Sequence, residues 1–333
     1  MLGLRAIDYL TFYLSACWFL LAHLQRGDVV VAKTDPPLIS IVAGAAARIR
    51  AAKLVNWLQD LFPETAVELG VRGVGWLARF LSWLRNISLR AAAMNVTIGG
   101  RMADRLASFG VPERQIRVIH NWADGGAVHP IAREANPLRA EWGLERKFAV
   151  GYSGNLGRAH EFETMVGAAD LLRARADVVF LFIGGGVHRE GLERRVRELA
   201  LENVYFQPYQ PREKLGLSLT LPDVHLVSLR PELEGLIVPS KFYGIAAAGR
   251  PTVAIGDPDG EIPTLLRRYD IGYAVTPGDA RGLAARLVEL ADNPGLCSTM
   301  GTKAREVFVQ QFDMPHAMRA WRECLDAVES EIR

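Results

Sequence analysis

At 333 residues the chain has room for two domains of ordinary size, each with its own core. Half of its residues are apolar and 23% are charged, the balance of a globular protein, and a net charge of +2 is too small to argue for nucleic acid. Cys17, Cys297 and Cys324 are odd in number, scattered and without CxxC spacing, which argues against a disulfide framework or zinc site and for a reducing, cytoplasmic setting.

The first predicted element is the aromatic-rich run from Tyr9 to Leu24, which has no Asp, Glu, Lys or Arg. A spanning helix takes about 20 apolar residues. This run is shorter, carries Thr11, Ser15 and His23, and has no small-residue cleavage site, so it reads as a buried or interfacial helix. A strand at Val29 to Ala32, a helix at Ile39 to Ile49 and a strand at Lys53 to Leu58 follow, and Asp60 emerges directly after that strand. Farther on, at about 100° per residue, Trp76, Leu77, Phe80, Leu81, Trp83, Leu84 and Ile87 cover one broad helical arc. Arg72, Arg79 and Arg90 line one edge of the arc and Arg85 the other, a pattern suited to the headgroup region of an anionic membrane leaflet or, alternatively, to burial against the core. A strand at Asn95 to Ile98, a helix at Met102 to Phe109 and a strand at Arg117 to Ile119 complete a βαβα order, which predicts a parallel sheet covered on both faces.

After a polar connector from Asn121 to Arg146 the alternation restarts at Phe148. Gly154 and Gly157 follow the first strand and permit close approach of backbone to an anion, with a tight strand-to-helix turn as the plain alternative. Helices are predicted over Glu161 to Ala174 and His188 to Leu201, and strands over Val178 to Ile183, Val204 to Phe206, His225 to Leu229 and Thr252 to Ile255. Gly184 to Gly186 make a turn but lack GxGxxG spacing. Before the last strand, Ser240 is placed to cap a helix from Lys241 to about Ala248, leaving free N–H groups and a mobile ammonium, an arrangement suited to a diphosphate. The alternative is an ordinary capped helix with a surface lysine. Two successive doubly wound units imply a cleft between them. No HExxH spacing is present and no Asp-x-Asp pair is placed to hold a divalent metal under a diphosphate, so metal-independent chemistry, without a cofactor, is expected.

Val150 to Gly157, Phe182 to Gly186 and Val238 to Pro251, in that order and spacing, resemble glycosyltransferase family 4, nearest to bacterial enzymes of the colanic-acid and O-antigen type. Trp57 to Glu64 and Val118 to Asp124 resemble that group's acceptor-domain loop and interdomain hinge, so the likeness covers nearly the whole chain. It implies an α/β, GT-B-like fold of two doubly wound Rossmann-like domains facing a cleft. The domains would be residues 1–125, a linker at 126–146, a donor domain at 147–310 and a last helix at 311–333, containing Trp321, that packs back on the first domain. Relatives usually begin with a further section of roughly 60 to 80 residues, on the scale of a βαβ unit and more, so the first domain is expected to be shortened.

The resemblance implies a retaining transferase that takes a sugar from a nucleotide donor, UDP- or GDP-linked. The aromatic arc together with the Tyr9 to Leu24 run points to a polyprenyl-diphosphate-linked saccharide acceptor at the cytoplasmic face of the inner membrane. Gly154, Asn155, Gly157, Arg158, Gly184, Gln207, Pro239, Ser240 and Lys241 would hold the donor, with the positive groups stabilising the departing diphosphate. Asp60 would orient the acceptor hydroxyl first and receive its proton second, against the alternative of a turn or helix-capping aspartate. Glu234, in competition with Glu232, would bind sugar hydroxyls, and Trp76, Phe80 and Trp83 would touch the membrane. Two departures stand out: Gly244 occupies the place of a ribose-binding glutamate, and Asn155 that of an arginine whose charge Arg158 would supply. A nucleotide-sugar 2-epimerase of the same fold and a non-catalytic nucleotide-sugar-binding subunit are the alternative functions.

Overall fold

The computed structural model describes residues 2–71 and 74–330. They form two units: Met1–His120 with Gly235–Val238 and Met318–Arg333, and Asn121–Glu234 with Pro239–Ala317.

The first unit is built on four parallel strands in the order β1 (Val29–Lys33), β2 (Lys53–Leu58), β3 (Met94–Thr97) and β4 (Ile116–Val118). The helix Ile39–Ile49 turns Ala43, Ala46 and Ala47 inward, small residues that let it lie close to the sheet. Inside, Asn56 on β2 donates to Asn95 on β3 at 2.8 Å, and Asn95 passes its own amide hydrogen on to the Leu89 carbonyl. The helix Leu2–His23 packs Leu20 on a cluster of Ala32, Ala43, Leu54 and Ala92, while Leu14, Trp18 and Phe19 face outward. Among the described residues no helix is long and apolar enough to cross a membrane. The last helix, Met314–Ser330, gives this unit Trp321, edge-on to Trp57 at 5.1 Å, and the Val328 carbonyl, which accepts from Lys53 at 3.1 Å.

The arc expected on one helix is divided. Helix begins at Ala78, so Trp76 stands in the turn before it, 81% exposed, with Phe80 and Trp83 each 54% exposed on the helix Ala78–Ala91. Arg85 does not border an outer face. It is buried, its guanidinium bonded to both Glu64 carboxylate oxygens at 2.7 and 2.8 Å, because a charge removed from water needs a full set of partners. Arg79 and Arg90 are exposed, and Arg72 lies outside the described residues.

The second unit holds six parallel strands: β5 (Phe148–Ser153), β6 (Val178–Ile183), β7 (Val204–Gln207), β8 (Val224–Ser228), β9 (Thr252–Ile255) and β10 (Gly272–Val275). β6, β8 and β9 are buried along their whole length, as expected of strands covered by helices on both faces. The spatial order is β10-β9-β8-β5-β6-β7. The chain runs outward from β5 to β7, then returns to place β8 beside β5. The two loops leaving that pair diverge, and the crevice where strand order reverses is where open α/β sheets bind ligands. The stretch read as a linker, 126–146, is packed into this unit instead: Asn136 caps the helix Pro137–Glu141, and buried Arg139 pairs with Asp223 at 3.2 Å.

Candidate functional site

Three loops at the carboxyl ends of β5, β6 and β7 are bonded into one plate. Gly154 N–H donates to the Ile183 carbonyl, Leu156 N–H to Gly185 and Gly184 N–H to Gln207, all at 2.8 to 3.0 Å. Arg189 adds bonds to the carbonyls of Gly184 and Gln207. The glycines are needed for closeness: a Cβ on Gly184 would sit 2.1 Å from the Gly154 carbonyl oxygen, and one on Gly186 2.5 Å from the Asn155 amide oxygen. Gly154 (φ +122°) and Gly184 (φ +136°) hold backbone angles that L side chains rarely adopt. Gly184 and Gln207, both expected to hold the donor, spend the Gly184 amide and both carbonyls on the plate itself. Asn155 is exposed, but its amide is folded against Gly157, whose added Cβ would lie 2.7 Å from it. Gly157 is buried and Arg158 is exposed at the same loop.

On the other side of the crevice, Lys241 begins the helix Lys241–Ala247. Ser240 stands at the cap position without capping. Its own backbone is already helical (φ −62°, ψ −20°), so its side chain does not reach the first-turn amides, and it is exposed. Pro239 before it is buried, its carbonyl accepting from Phe242 N–H. Lys241 itself is half-buried as a residue, yet its Nζ is fully buried and makes no hydrogen bond. The ammonium lies over the Tyr152 ring, 3.7 Å from the centroid, and a Cβ on Gly154 would be 3.7 Å from it. A desolvated cation–π contact is worth about 2 kcal/mol, less than the several kcal/mol lost on burying the charge. Burial accordingly wins and pulls the amine down from its ordinary 10.5 to about 7.

Two further residues given no role from the sequence, Tyr152 and His160, complete this cluster. Tyr152 is buried on β5 and its hydroxyl donates to the Asn155 carbonyl at 3.0 Å. His160 stands edge-on to that ring, with Nδ1 2.5 Å from the Ser228 carbonyl at the end of β8, so Nδ1 carries the proton. Burial, with the Lys241 charge beside it, lowers His160 to about 4 and keeps the imidazole neutral. The loops of β5 and β8 are joined by Glu161 N–H to the Ser228 hydroxyl and Arg230 N–H to the Ala159 carbonyl. Only the Ser-Lys pair was legible; the ring beneath the amine lies 89 positions away in the chain.

Glu234 has a structural partner within the second unit. Its Oε1 accepts from Glu261 N–H at 2.9 Å, supplying the cap that Gly260 cannot give the helix Glu261–Tyr269. Glu232 faces Arg230 at 3.5 Å. At Gly244 an added Cβ would lie 3.2 Å from Leu219, so this face of the helix is closed by apolar packing.

In the first unit, Asp60 follows β2 and pairs in an isolated antiparallel bridge with Ile237, while Leu61 N–H donates to Leu236. Asp60 caps no helix: the helix Glu64–Glu68 starts after Pro63 without a side-chain cap. One carboxylate oxygen is buried without a partner. Burial raises the Asp60 pKa, the Thr34 hydroxyl opposes this, and the Asp35 charge adds to it. A half-buried carboxylate of this kind accepts a proton more readily than one in water.

Residues 135–307 match the family model described as glycosyl transferases group 1, and residues 2–122 match one described as a glycosyl transferase 4-like domain. The chain belongs to the group 1 glycosyl transferases. This glycosyl transferase is 28% identical over 317 residues to a Pseudomonas aeruginosa protein named "Probable glycosyltransferase WbjE", covering 94% of the chain and 78% of the relative. It is 26% identical over 280 residues to WcaI of Escherichia coli (strain K12), a protein named for glycosyl transfer in colanic acid biosynthesis, covering 82% and 67%. Its fold is that of Anabaena Alr3699/HepE, a structure in complex with UDP, at a TM-score of 0.76 and 19% identity, covering 95% and 82% of the two chains. The sucrose-phosphate synthase of Thermosynechococcus elongatus aligns at a TM-score of 0.71 and 19% identity, covering 90% and 74%. The fold expected from the resemblance, GT-B with two parallel-sheet α/β units, is the one observed.

Proposed function

We propose that this glycosyltransferase takes a sugar from a UDP- or GDP-linked donor, with retention of anomeric configuration and without a metal ion, and passes it to a polyprenyl-diphosphate-linked saccharide. The setting is cell-surface polysaccharide biosynthesis at the cytoplasmic face of the inner membrane. The observation that carries the reading is the buried, partnerless Lys241 amine beneath the Gly154 loop, at the point where strand order reverses. A buried amine with no partner is stabilised by whatever anion reaches it.

Breaking the sugar–phosphate bond leaves extra negative charge on the leaving diphosphate, and groups that favour that charge lower the barrier. Lys241 and the exposed Arg158 serve that end, with rotation about the terminal side-chain bonds carrying the amine out to a phosphate. Asp60 orients the acceptor hydroxyl, with its raised pKa as a reserve for taking the proton. WbjE and WcaI, the second named for colanic acid, support the pathway class, and the UDP complexes of HepE support a nucleoside diphosphate as the shared ligand. Exposed Trp76, Phe80 and Trp83 support contact with a membrane surface.

Calorimetry with UDP and GDP, followed by transfer assays on bacterial lipid-linked saccharides with and without EDTA, tests the whole reading. One of the two nucleotides is expected to bind, and Lys241→Met to weaken it at least about tenfold, the scale of one charge-assisted hydrogen bond. Asp60→Asn is expected to lower kcat about 100-fold or more, within the range of general base catalysis. EDTA leaves turnover unchanged, and the product keeps the donor's anomeric configuration. Failure of both nucleotides to bind would remove the proposal.

A further inference from the structure

The Tyr152 ring is the surface on which Lys241 rests. The ammonium sits 3.7 Å from the ring centroid, well inside the roughly 6 Å over which an aromatic face attracts a cation. The titratable groups around it are His160 from the loop after β5, His225 from β8 and Tyr152 itself. Both imidazoles are held neutral by burial, and the phenol is held protonated in the same way, so none of these groups is an anion. The same phenol fixes the loop, since its hydroxyl holds the Asn155 carbonyl, and its ring is locked edge-on against Phe162 at 5.3 Å and His160 at 5.9 Å.

We propose that Tyr152 is a positioning residue for donor binding: its ring face holds the Lys241 amine beneath Gly154, and its hydroxyl couples that amine to the shape of the loop that receives the diphosphate. This rests on the reading of Lys241 as the donor's phosphate partner. The ring's negative face favours the charged amine over the neutral one, so the empty site keeps more of its lysine protonated and ready. Weakening the face without changing its shape leaves the lysine neutral at lower pH, and the nucleotide must then bring a proton with it.

The test uses the full chain with Tyr152→Phe and with mono-, di- and trifluorinated phenylalanines at position 152, which drain the ring face while nearly preserving its volume and hence the fold. Binding of UDP, or of GDP if that is the nucleotide the wild type takes, is measured by calorimetry from pH 5.5 to 9. Affinities are expected to converge at the acid end. At pH 7.5 they are expected to fall roughly twofold per fluorine as the alkaline limb moves to lower pH. Lys241→Met should show weak binding with no such limb. Equal affinities and an unmoved limb across the fluorinated series, with Lys241→Met still weakened, would overturn the role of Tyr152 and leave the donor site standing. Undiminished binding by Lys241→Met would overturn the donor-site reading and this inference with it.

Discussion

Three nitrogen bases of the second unit, Lys241, His160 and His225, are buried close together, and each lies below its ordinary pKa because burial disfavours the charged form. For the two histidines the folded value is about 4 against an ordinary 6.5. Between those limits the unfolded chain binds protons that the folded chain refuses, so stability is lost as pH falls from 6.5 to 4, by on the order of 3 kcal/mol per histidine. Urea unfolding should show this drop, and His225→Gln should flatten it. Lys241 runs by the same rule in a higher window. From pH 7 to 10.5 the unfolded chain holds the proton and the folded chain does not, so the lysine's destabilising effect is complete below 7 and fades above it. Lys241→Met is therefore expected to be more stable than the wild type at pH 6.5, with the gap closing by pH 10.

At the scale of elements, the plate formed by the loops after β5, β6 and β7 depends on backbones packed where no side chain fits. Gly184→Ala would drive a methyl against the Gly154 carbonyl at 2.1 Å and force an unfavourable φ, which is expected to cost about 2 kcal/mol or more. Gly191→Ala, near only the flexible end of Arg194 at 4.0 Å, is the control and should stay near wild type in thermal unfolding and nucleotide binding. Elements were legible where one physical signal dominated. The run Val178 to Ile183 has no reading but a buried strand, and it is one. β10 was missed because Gly272-Tyr-Ala-Val275 is short and opens on glycine. Ser240 has the residue type of a cap, but capping depends on backbone angles that the residue type does not set. Arg85 was assigned its face from helical periodicity, which is silent about a glutamate 21 positions earlier. The platform under Lys241 was illegible for the same reason, since only the sheet order brings β5 beside the segment that follows β8.

For the whole molecule, the exposed aromatic groups of the first unit are its most unusual surface feature. Trp18 is 70% and Trp76 81% exposed, with Phe19, Phe80 and Trp83 each more than half exposed. Amphipathic rings of this kind settle at the boundary between headgroups and acyl chains, with arginines such as Arg79 favouring anionic lipids. Joint substitution of Trp76, Phe80 and Trp83 by serine removes no buried side chain, so the fold should stand. Sedimentation with anionic vesicles is expected to fall several-fold while UDP or GDP binding is unchanged. Equal sedimentation of variant and wild type would count against membrane contact through this segment.

The first unit is assembled from three separated lengths of chain, the last of which begins at Met318. On the ribosome this has a consequence in time. Residues up to His120 leave the exit tunnel with Trp57 and Lys53 still awaiting partners that are translated only about 200 residues later, at Trp321 and Val328. The later-made lobe, nearly continuous in sequence, can settle first, reversing the usual order in which amino-terminal domains fold ahead of those behind them. At 5 to 20 residues per second, the roughly 200 intervening residues hold the earlier lobe open for on the order of ten to forty seconds, an interval in which its unpaired apolar surface is a natural client for chaperones.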